Sequence, residues 1–93
     1  MTKLHEIYNE IEIIKKSDLS DFEKMVRIHD NEKKASAETW NLDKNYSLNA
    51  QKLHDYAQTQ WSDIYLQTDD STQREFEKFI DNNLKEAEKW SIK

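Results

Sequence analysis

Ninety-three residues with a formal net charge of -5, 35% hydrophobic and 35% charged, describe a chain long enough for one domain and one core. The absence of Cys excludes disulfides, zinc-thiolate and iron-sulfur sites and thiol nucleophiles, and the absence of Gly and Pro removes every Gly-rich phosphate loop and dinucleotide fingerprint. Ten aromatic residues, three Trp, four Tyr and three Phe, set the chain apart from disordered sequences of similar charge.

Four segments carry helical periodicity. In the first, Leu4, Ile7, Tyr8, Ile11 and Ile14 share a stripe, with Thr2 as the expected N-cap and Ile13 on the opposite side. This helix begins with HEIYN, one residue short of the His-Glu-x-x-His zinc pattern. Asn9 stands where the second imidazole would have to be, so the stretch reads as helix rather than metal site.

The second segment opens with SDFE, in which Ser20 and Glu23 have capping-box spacing. Phe22, Met25, Val26, His29, Ser36, Ala37 and Trp40 align behind it, Lys33 intrudes, and Ile28 points away. The third segment, about 48 to 66, aligns Ala50, Leu53, Ala57, Trp61, Ile64 and Tyr65 and leaves Tyr56 and Leu66 off the stripe. The fourth starts at TQRE, with Thr72 and Glu75 as a second capping box. Phe76, Phe79, Ile80, Asn83, Leu84, Ala87 and Trp90 follow at helical spacing.

Acid-first pairs at i,i+4, Glu12 with Lys16, Glu23 with Arg27, Asp30 with Lys34 and Asp81 with Lys85, support the same helices; Lys34 with Glu38 runs in the reverse sense. The breaks at 17–20, 41–47 and 67–72 are short and polar, and Asn41, Asn45 or Asn49 can supply the left-handed cap that Gly normally provides. An alternative for 39–49 is a short hairpin, because Trp40, Leu42, Tyr46 and Leu48 alternate around Asp-Lys-Asn. The expected fold is all-α: a small antiparallel bundle of about four helices in a single domain, 1–93.

Chemistry-bearing constellations are sparse. His29-Asp30 and His54-Asp55 have the two letters of a metal-phosphohydrolase dyad, but only His5 remains to complete a ligand set. No Glu-x-x-His pair of the di-iron type occurs, and no nucleophile-base pattern stands out. The chain is therefore read as a non-enzyme with no catalytic, cofactor-binding or metal-binding residue.

Residues 1–46 carry ten acids against eight bases and residues 47–93 nine against six, so no basic face invites phosphate, and direct nucleic-acid binding is not expected. Lacking an apolar signal core or a membrane-length apolar run, the chain is expected in the cytoplasm. What remains is a module that binds another protein, with a homodimer as one form of partner. Ile13, Ile28, Tyr56 and Leu66, left off the stripes, and Tyr46 in the middle break are the candidate contact residues. A composition rich in residues with AT-rich codons suggests a low-GC bacterium or its phage, hence an inhibitor or regulator of a host or defence enzyme. The alternatives are an acidic nucleic-acid mimic, with Asp69, Asp70, Glu77, Asp81 and Glu88 imitating phosphates, or an immunity- or antitoxin-type protein.

Overall fold

In the computed structural model, residues 3–91 are described, with side chains described to residue 85. Four helices follow one another: α1 (Lys3–Lys16), α2 (Asp21–Glu38), α3 (Lys44–Gln67) and α4 (Asp70–Ser91). The all-α bundle expected from periodicity is the observed architecture. Thr2 as a cap, and the side chains of Ala87, Glu88 and Trp90, lie outside the described set.

Helix starts follow from acceptor side chains. Ser20 Oγ accepts the backbone N–H of Glu23 at 3.2 Å, as its spacing predicts. Asp43 Oδ1 accepts the N–H groups of Asn45 and Tyr46 at 3.0 and 3.3 Å and starts α3 four residues before the expected segment, about 48 to 66. This early start replaces the hairpin alternative, since residues 44 to 49 are helical. At α4 the cap is Asp69 rather than Thr72: its Oδ1 accepts the Thr72 N–H at 2.8 Å. That bond holds the Asp69 carboxyl below the usual carboxylate range.

Helix ends explain how the chain manages without Gly. Ser17, Thr39 and Thr68 each donate both their backbone N–H and their hydroxyl to the carbonyl three residues back. The hydroxyl bonds to Ile14, Ser36 and Tyr65 measure 2.6, 2.6 and 2.8 Å. Terminal carbonyls are thereby satisfied at negative φ, and none of the described Asn residues takes the left-handed cap conformation.

α2 is the centre of the bundle. It packs most extensively on α3, then on α1, and is the main support of α4. Ile7, Ile11 and Ile14 of α1, Ile28 and Ala35 of α2, and Leu53 and Ala57 of α3 form one buried cluster, with Leu4, Leu19, Tyr56, Trp61 and Ile64 packed around it. A second, aromatic cluster joins α4 to the rest. His29 stands 5.9 Å from Trp61, 6.1 Å from Phe76 and 5.7 Å from Phe79 between ring centroids, in edge-on geometry.

α2 departs from the single apolar stripe expected of it in two places. Ile28 is fully buried, because α2 has helices on more than one side and a single stripe cannot describe its core. Trp40 and Ala37, expected in the core, are exposed; Ala35 is buried instead, and Trp40 lies past the helix end fixed by Thr39. Leu84, on the α4 stripe, is also exposed.

The Cα envelope measures 42 × 40 × 17 Å, a slab rather than a sphere. Its radius of gyration is 14.2 Å, against roughly 12 Å for a compact domain of this length. The exposed area of 6788 Å² likewise exceeds the roughly 5,700 Å² of a typical monomer of this mass. No helix among the described residues is long and apolar enough to cross a membrane.

Candidate functional site

The α2–α3 corner combines a rigid backbone with unprotected apolar side chains. Asn41 Oδ1 accepts the Asp43 N–H at 2.8 Å, Ser47 Oγ donates to the Thr39 carbonyl at 2.7 Å, and the Tyr46 hydroxyl donates to Glu38 Oε1 at 2.6 Å. Glu38 also receives Lys3 Nζ at 3.6 Å, which fastens the start of α1 to the end of α2. Within this frame Trp40 is 87% exposed, Leu42 100% and Leu48 54%. A shallow hollow of about 320 Å³ lined by Leu4, His5, Tyr8, Asn49 and Leu53 opens between α1 and α3 toward the same end. Apolar surface thus gathers where α2 ends and α1 and α3 begin.

Of the residues expected to contact a partner, only Tyr46 belongs to this end, and it is half-buried. The Glu38 carboxylate, which accepts a hydrogen bond from its hydroxyl, holds the Tyr46 phenol above its ordinary range. Ile13 and Leu66 are exposed, at 63% and 75%, but the structure does not gather them here. Leu66 lies about 30 Å from Tyr46 along α3 at 1.5 Å per residue.

Tyr56, placed off the stripe, is half-buried against the core and joins α3 to α1. Its hydroxyl donates to Glu12 and accepts from Lys15 Nζ at 3.2 Å, while Lys15 pairs with Glu12 at 3.4 Å. The hydrogen bond from Tyr56 lowers the Glu12 pKa, that to Tyr56 raises the Lys15 pKa, and burial raises the Tyr56 phenol. Glu12 takes Lys15 rather than the expected Lys16, and Glu38 takes Lys3 rather than Lys34. Glu23–Arg27 and Asp30–Lys34 form as the spacing predicts, at 3.4 and 3.8 Å.

The two His-Asp pairs resolve into different environments. His29 sits among aromatic rings with Nδ1 buried and unpartnered, and burial depresses its pKa. His54 Nε2 meets Glu32 Oε2 at 3.1 Å and its Nδ1 lies 3.4 Å from Asp55 Oδ1. The other oxygen of Glu32 accepts the Trp61 indole N–H. Glu32 therefore ties α2 to α3 through two side chains. Among the described residues no group of three or more His, Asp or Glu is placed to hold a metal ion.

Sequence reasoning missed Trp40 and Leu42. A signal was present: Asn41 and Asp43 flank Leu42, and two such cap-forming residues imply that the helix has already ended at Trp40. Comparison of the chain with known proteins finds no matching family model, no matching curated protein and no matching solved structure.

Proposed function

We propose that this chain is a non-enzymatic protein-binding module, a small inhibitor or regulator that engages another protein through the end bearing Trp40 and Leu42. The observation carrying this reading is a Trp and a Leu almost wholly in water on a corner that local hydrogen bonds hold still. Trp is enriched among the residues that dominate interfaces, and a pre-ordered corner loses little further freedom on binding. Leu48 and the α1–α3 hollow enlarge the apolar patch, and Lys3, Glu38 and Lys44 supply a polar surround. The abundance of residues with AT-rich codons supports a low-GC bacterium or its phage as the setting of the module under this proposal, with a host or defence enzyme as the target.

The test compares wild type with the Trp40→Ser/Leu42→Ser double variant, each immobilised and exposed to a low-GC bacterial lysate. A protein retained by wild type and reduced at least about tenfold by the variant, with Tm unchanged, supports the reading, since hot-spot losses reach this size. Equal retention by both chains removes the corner from the interface.

A further inference from the structure

A second surface feature lies between α3 and α4, away from the Trp40 corner. Trp61, Tyr65, Phe76, Glu77, Ile80 and Asp81 line a groove of about 330 Å³. Its apolar part is aromatic: Phe76 is buried and stands 5.1 Å from the Trp61 ring and 6.2 Å from the Tyr65 ring, while Trp61 and Tyr65 remain half-exposed. The Trp61 indole N–H is already bonded to Glu32, which orients the ring from the α2 side. The Trp61 wall is thus positioned before any ligand arrives.

The groove's charge is of one sign. Glu77 and Asp81 stand one turn apart on α4, both exposed, and neither has a described cation within ion-pair distance. Like charges at i,i+4 repel. Glu77 reaches into the groove: burial first, then the Glu77 charge and its hydrogen-bond contact with the phenol, raise the Tyr65 pKa. Electron-rich ring faces and two exposed carboxylates outside any described ion pair select one kind of guest, a cation on an apolar stem.

We infer that the α3–α4 groove receives an arginine side chain of a partner protein, its guanidinium between the aromatic walls and the Glu77 and Asp81 carboxylates. Arginine fits better than lysine because its planar, weakly hydrated head stacks on rings and presents several N–H donors to carboxylates at once. An anion is repelled, and a neutral side chain of the same shape gains neither the ring attraction nor the ionic one. The inference rests on the reading of the chain as a protein-binding module, but not on the corner that reading assigns.

The experiment follows the Trp61 indole N–H and Tyr65 ring signals by NMR, at constant ionic strength, during titration with N-acetyl-arginine amide, its uncharged analogue N-acetyl-citrulline amide, and tetramethylammonium. Arginine should shift both signals saturably, with citrulline weaker by about fivefold or more, the scale of an exposed ring-cation contact joined to surface ion pairs. Glu77→Gln/Asp81→Asn should weaken arginine by a similar factor with Tm retained, and Trp40→Ser/Leu42→Ser should leave it unchanged. If the corner variant binds arginine normally but captures the same proteins as wild type, only the corner reading falls. Equal binding of arginine and citrulline, indifference to the loss of both carboxylates, or no saturable shift overturns the groove assignment. Tighter binding of tetramethylammonium than of arginine also overturns it, by making the groove a site for small ammonium ions.

Discussion

Truncating Ile28 to Ala tests the central position of α2. The side chain is 0% exposed and belongs to the cluster with Ile7, Ile11, Ile14, Leu53 and Ala57, so the change removes three buried carbons from the junction of three helices. At about 0.8 kcal/mol per buried CH₂, with a further contribution from the cavity left behind, the loss is about 3 kcal/mol. A domain of this size has a total stability on the order of 5–10 kcal/mol, and each kcal/mol moves Tm by roughly 4–8 °C. Ile28→Ala should therefore lower Tm by about 12–24 °C, followed by far-UV circular dichroism, and lower the urea midpoint without changing the slope. Ile13→Ala is the matched control: Ile13 is 63% exposed, and its truncation should stay within about 0.5 kcal/mol of wild type. A Tm for Ile28→Ala within a few degrees of wild type would refute the packing of α2 between α1 and α3.

Two further outcomes are specific. Tyr56→Phe removes the hydroxyl by which α3 holds Glu12 and Lys15 of α1 and should cost about 1 kcal/mol, with a double-mutant cycle against Glu12→Ala giving a coupling above about 0.5 kcal/mol. Additive single effects would show that the bond contributes nothing. His29 has a folded-state pKa below its unfolded value of 6.5, so the unfolded chain binds the proton more readily; stability is full above pH 6.5 and is lost as pH falls toward the folded pKa. The Tm of wild type relative to His29→Phe should accordingly fall as pH is lowered from 7.5 to 5.5, and a constant difference would mean that His29 has the same pKa in the folded and unfolded chains.

Helix number and type were legible because α1, α3 and α4 each bury one face, and a one-sided face repeats at helical spacing. α2 defeated the same reasoning at Ile28, since a helix with neighbours on several sides has no single stripe to find. The middle break misled for a different reason: Asp43 caps α3 through its own side chain, so the helix starts before the apolar pattern does. Of the candidate contact residues, Ile13 and Leu66 were correctly read as exposed, whereas Tyr56 is occupied by a cross-helix hydrogen bond that no periodicity encodes. Trp40 and Leu42 owe their exposure to where α2 stops, and that point depends on Thr39 turning its hydroxyl back onto Ser36.

Those hydroxyl-closed helix ends bear on the other side of the folding equilibrium. An average composition would place about six or seven Gly in a chain of this length, and each Gly widens the conformational freedom of the unfolded ensemble. Replacing Gly by a residue with a Cβ, where the native φ allows it, stabilises a protein by about 0.4–1 kcal/mol through that ensemble alone. Ser17, Thr39 and Thr68 hold their helix ends at negative φ, the condition under which a Cβ is harmless. A slab with much of its surface in water and a thin core thus gains stability from a source that no contact within the fold reveals: its unfolded chain has fewer conformations to lose.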